Sequence, residues 1–168
     1  VYQVNRQHTQ GQGLDLIDQT RSTYAVDDAT AALNSDAAKL KHEIGHGSFR
    51  LHVTNTSTGQ RDATTIDVDL DGINPAGDTT LQSLANQIDS VANVSASVTS
   101  GGRLDISTSA NDVKLSFSDD TSGALAALGI NNFFTGVDAT DVGVRADVKS
   151  QPRRIAASAN HQPGDNTQ

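Results

Sequence analysis

The sequence predicts an α+β fold, an antiparallel β-rich domain ordered β-β-α-β-β-β with a short helix after it. Two observations carry this: several short runs alternate apolar and polar residues, and a single amphipathic helix interrupts them. A third excludes the main alternative, since a doubly wound α/β fold needs repeated strand-helix units and none recur here.

The first strand is expected from Ser48, with Phe49, Leu51 and Val53 on one face and Ser48, Arg50, His52 and Thr54 on the other. "TSTGQRD" supplies a polar turn around Gly59. "TTIDVDLDG" alternates again through Ile66, Val68 and Leu70, so the two runs read as an antiparallel pair. In "DTTLQSLANQIDSVA", Leu81, Leu84, Ile88 and Val91 form one helical stripe, with Asp78 or Thr79 as the expected cap.

Three strands follow at 94–100, 103–109 and 112–119, the first two joined by Gly101-Gly102, a hairpin signal. "SGALAALG" predicts a short helix closed by Gly129. The expected core is Phe49, Leu51, Val53, Ile66, Val68, Leu70, Leu84, Ile88, Val98, Leu104, Ile106, Leu115, Phe117 and Leu128.

Outside this unit the chain turns polar. Residues 1–22 read as the end of a helix followed by an extended or turn segment, with apolar Leu14, Leu16 and Ile17. Residues 151–168 carry Pro152, Pro163 and Gly164 and read as a linker. The domain is expected to span 23–150.

At 168 residues the chain can bury a real core. Its net charge of −8 argues against nucleic acid or an anionic membrane as partner. No apolar run approaches the ~20 residues of a membrane span, and no cleavable leader opens the sequence. With no Cys, thiolate metal sites and disulfides are excluded.

Two motifs invite a metal. "KLKHEIGHGSFRLHV" holds H-E-x-x-H at His42, Glu43 and His46, with His52 six residues beyond, and Glu43 is the only glutamate in the chain. That is the spacing of a zinc metallopeptidase, in which two histidines one helical turn apart bind the ion and the glutamate activates water. "SDAAKLKHEI", capped by Ser35 and with Ala37, Leu40 and Ile44 on one face, could supply the helix. The position where a metzincin turns with glycine is Phe49, however, and it opens the strand that carries His52 away.

"DVDLDGINPAGD" resembles an EF-hand calcium loop, with Asp67, Asp69 and Asp71 at positions one, three and five, Gly72 at six and Asp78 at twelve. It departs at position nine, Pro75, and in having Asp for the bidentate Glu. A calcium-binding surface or adhesive module is the alternative it suggests. No G-x-S-x-G elbow organises a hydrolase triad. No residue is therefore assigned to catalysis, a cofactor or a metal, and a non-enzyme is expected.

A resemblance enters with the later segments. "TTLQSLANQIDSVANVSASVTSGGRLDIST" and "SFSDDTSGALAALGINNFFTG" resemble the outer region of flagellar hook-associated proteins of the FlgK family. There a Leu-Gly-Ile-Asn-Thr-Phe-Phe-Thr-Gly run follows the small β-unit; here it is Leu128 to Gly136, with Asn132 in place of Thr. Asn5, His8, Gly13 and Asp15 look like the end of that family's N-terminal helical segment, and "PGDNTQ" like the approach to its C-terminal helix. "KHEIGHGSF" departs from the family, which has an apolar, proline-containing stretch before the strand.

The resemblance implies an internal fragment of a structural protein of the bacterial flagellum, lacking both terminal helices. It implies a place at the hook-filament junction, outside the cell, reached by type III export without a cleaved leader. Implied partners are the hook protein, hook-associated and filament proteins and sister subunits; the fragment alone is expected to be a monomer.

Overall fold

The computed structural model describes residues 17–74, 76–130, 132, 134, 135 and 140–150. The fold is α+β and mostly antiparallel. In order it runs β1 (Gln19–Arg21), β2 (Gly47–Asn55), β3 (Arg61–Val68), α1 (Leu81–Asp89), β4 (Val94–Val98), β5 (Leu104–Thr108), β6 (Val113–Ser118), α2 (Ala124–Leu128), β7 (Phe134–Thr135), β8 (Gly143–Val144) and α3 (Ala146–Ser150). Between β2 and α2 this is the predicted succession.

Two three-stranded sheets, ordered β3-β2-β6 and β1-β5-β4, enclose the core, and β7 pairs with β8. Alternation places Phe49, Leu51 and Val53 of β2 inward beside Ile66 and Val68 of β3 and Leu115 and Phe117 of β6. The β2–β3 turn forms as expected: Gly59 adopts φ 74°, and the Asn55 side-chain oxygen accepts from the Ser57 and Thr58 amides.

In α1, Leu81, Leu84, Ala85 and Ile88 are buried and the helix packs on β3 and β4. Its cap is Thr80, one residue beyond the expected Asp78 or Thr79. Thr80 Oγ1 accepts from the Ser83 amide at 3.0 Å and Ser83 Oγ accepts from the Thr80 amide at 2.9 Å, a reciprocal box. Thr79 is instead buried, its hydroxyl accepting from the Asp69 amide at 2.8 Å.

Three further differences have physical causes. The helix offered by residues 35–44 does not form: Lys39 sits at φ 51°, outside right-handed helix, and Ser35 Oγ donates to the Ala32 carbonyl rather than capping. Leu33, Ala38 and Ile44 are buried there at spacings of five and six, which match neither a helix nor a strand. Val98, expected in the core, is only half-buried at the turn end of the outer strand β4, whereas Val94 at the other end of the strand is buried.

The third difference is β1. Ile17 bridges to Leu115 through two backbone hydrogen bonds of 3.0 and 2.8 Å, and Gln19–Arg21 then pairs with β5. One short segment thereby ties the two sheets together. Of the helix end and extended segment expected over 1–22, residues 1–16 lie outside the described residues, as does the linker expected over 151–168.

Gly123 at the start of α2 has φ 77° and no side chain to cap the helix. Asp120, fully buried, does so: its carboxylate accepts from Ser122 Oγ (2.8 Å) and from the Gly123 (2.7 Å) and Leu125 (3.0 Å) amides. Burial pushes its pKa above the ordinary 3.8, and these hydrogen bonds pull only partly against that. The native state therefore holds this proton more firmly than the unfolded chain does. Its contribution to stability declines as pH rises from the ordinary carboxylate value to the raised one. Asp120→Asn is expected to cost about 1–2 kcal/mol by weakening these contacts. Urea unfolding should show a larger cost near pH 4 than at pH 7; a pH-independent cost would refute the account.

Candidate functional site

Strand pairing decides which of the motif residues meet. β2 starts with Gly47 opposite Val68 of β3, so His46, the residue before, comes to lie opposite Asp69, the residue after. His46 Nδ1 stands 3.3 Å from Asp69 Oδ1, with both side chains more than half exposed. The same nitrogen accepts a long hydrogen bond, 3.4 Å, from the Leu70 amide. Asp71 completes the group: one donor atom from each of His46, Asp69 and Asp71 lies within 4.8 Å of the others, the one such set of three among the described residues.

The zinc-peptidase arrangement does not assemble. Residues 42–46 form no helix, so His42 and His46 do not share a helical face. His42 is half-buried with its ring edge-on to Tyr24, centroids 5.6 Å apart. Burial, helped by the charge of neighbouring Lys41, holds its pKa below the usual imidazole value. Glu43 is exposed. His52 lies six residues along β2 from His46, about 20 Å of extended chain, and its Nε2 is 2.8 Å from Ser118 Oγ. Neither His42, Glu43 nor His52 belongs to the His46 set.

Nor do the four aspartates converge as in an EF-hand. A strand precedes the loop where an EF-hand has a helix. Asp67 is within β3, its amide and carbonyl both engaged by the Gln87 side chain. Asp71 Oδ1 caps the local turn by accepting from the Ile73 amide at 2.8 Å. Asp78 is half-buried and lies outside the His46 set.

The grouping thus takes one residue, His46, from the first motif and two, Asp69 and Asp71, from the second. Sequence patterns treat 39–53 and 67–78 as separate local motifs, and neither reveals the pairing of residues 46 and 69. The signal that could have found it was the alternation itself: pairing the two predicted strands through a turn at Gly59 sets His46 near Asp69. An imidazole and two carboxylates in this spacing are donor types that could hold a metal ion.

No family model and no curated protein sequence matches the chain. The chain is similar to part of a flagellar protein. That solved structure is the flagellar cap protein FliD, domains D1-D2-D3, from Escherichia coli, at 20% identity and a TM-score of 0.41; the likeness covers 79% of this chain and 35% of that one. The chain therefore spans about a third of the length of the protein it matches.

Proposed function

We propose that this chain is the outer, non-enzymatic domain of a structural protein of the bacterial flagellum, of the hook-associated FlgK type. The observation that carries the reading is the run Leu128 to Gly136, which resembles that family's run at the same place after the β-unit.

In the fold, the first part of this run is built into the core. Leu128, Ile130 and Asn132 are buried, Gly129 closes α2 at φ 70°, and the Asn132 side chain donates through Nδ2 to the Ala126 carbonyl at 3.2 Å. A segment fixed this way serves architecture. That residues 42–46 form no helix, and that His42, Glu43 and His52 stand outside the His46 donor set, supports the same non-enzymatic reading.

On this proposal the projecting domain, expected over 23–150, takes in Ile17 and β1 as well, and the segments before it and over 151–168 lead to terminal helices that would contact hook, filament and sister subunits. Its place would be extracellular, after export through the flagellar apparatus. Gold-labelled antibodies raised against the purified chain test this on sheared flagella. Label at the hook-filament junction is the expected result; label at the distal tip, or none on flagella, would overturn it.

A further inference from the structure

We propose that His46, Asp69 and Asp71 form a surface site for a divalent transition-metal ion of the zinc type, distinct from both a peptidase centre and a calcium loop. The donors are chemically mixed, one imidazole nitrogen and two carboxylates, held within 4.8 Å of one another by the strand register. Two ligands on one tetrahedral zinc, each about 2.0–2.2 Å from it, lie roughly 3.3–3.5 Å apart. His46 Nδ1 and Asp69 Oδ1 already stand at 3.3 Å.

The orientation also fits: His46 Nδ1 is turned toward Asp69 Oδ1 at 3.3 Å, and its other contact, with the Leu70 amide, is 3.4 Å. That contact is long enough to yield to a stronger ligand. Asp71, exposed on the loop after β3, needs only a side-chain adjustment to close on the ion.

The surroundings leave room for the remaining coordination. Beside His46 and Asp69 lies a concavity of about 480 Å³ bordered by Ser48 and Asp67, open enough for water ligands. The chain's net charge of −8 favours any cation's approach. Selectivity follows from the donor set. Calcium takes six to eight oxygen ligands, whereas imidazole with carboxylate suits zinc, nickel or copper.

Isothermal titration of the purified chain with zinc chloride, and separately with calcium chloride, tests the site. One zinc per chain is expected, with calcium binding far weaker. His46→Ala and Asp71→Asn should each weaken zinc roughly tenfold or more, and His52→Ala should leave it unchanged. Circular dichroism melts of each variant establish that it is folded, and the ¹⁵N resonances of the His46 ring in the unaltered chain should shift on adding zinc. No zinc binding at millimolar metal, equal affinity for calcium, undiminished zinc binding in His46→Ala, loss in His52→Ala, or an unmoved His46 resonance would each overturn the proposal.

Discussion

Phe117→Ala is expected to lower stability by about 3–5 kcal/mol, and the thermal midpoint by roughly 10 °C on that scale. Phe117 is fully buried on β6, directly opposite Leu51 of the central strand β2. Its ring lies 6.3 Å from that of Phe49, also buried, and the two are the largest side chains in the core. Truncation removes the transfer energy of the ring, leaves a cavity between strands that the sheet cannot close, and deletes the aromatic pair. Few aromatics exist to compensate, since the chain has four Phe, two Tyr and no Trp. Thermal melts by circular dichroism provide the check, with Thr65→Ala on the outward face of β3, opposite exposed Arg50, as a control expected to shift stability by less than about 0.5 kcal/mol. A near-neutral Phe117→Ala would refute the inward assignment of β6.

Gly102→Ala should be the most damaging glycine-to-alanine change among the described residues, while Gly101→Ala next to it is tolerated. Gly102 has φ +67°, where a β-carbon is strained by about 1–2 kcal/mol. A Cβ there would stand 2.0 Å from the carbonyl oxygen of Val26, which is backbone and cannot swing aside. Val26 is held in place because its amide donates to the Gly102 carbonyl at 2.8 Å.

Around that contact the 22–26 segment is sealed to the β4–β5 turn. Ser22 and Leu104 exchange backbone and side-chain hydrogen bonds of 2.8 and 3.0 Å, and the Arg103 guanidinium donates to the Ser22 and Thr23 carbonyls. Overpacking adds a further 1–3 kcal/mol or so to the strain. A total loss of roughly 2–5 kcal/mol is expected. At Gly101 the nearest atom to a new Cβ is 3.9 Å away. Equal chemical-denaturation midpoints for the two variants would refute the packing of this segment on the turn.

Gly102 also shows how far local pattern reaches. The Gly101-Gly102 link is legible as a hairpin turn because both flanking runs alternate, and the hairpin forms as β4 and β5. The need for glycine at the second position comes equally from Val26, some 76 positions earlier, and no local pattern names that neighbour.

The helix stripe of α1, the turn at Gly59 and the Gly129 cap were legible for the same reason as the hairpin: each rests on contacts within one turn or one alternating run. β1 was not, because three residues carry too short a pattern and their pairing with β5 is purely long-range. The helix that residues 35–44 could have supplied does not form, because the apolar residues of this stretch reach the core one at a time, at no regular spacing.

The candidate site divides along the same line. The sequence alone determined the alternating strands, the amphipathic helix, most of the core and the residue types that can hold a metal. It also showed that Phe49, placed where a metzincin has its turning glycine, starts a strand. Only the tertiary structure decided which donors meet: it parted His42 and His52 from His46 and brought Asp69 and Asp71 to it. The physical reason is that a side chain's direction follows from its neighbours in sequence, whereas its partner across a sheet follows from the register of two strands joined through a distant turn.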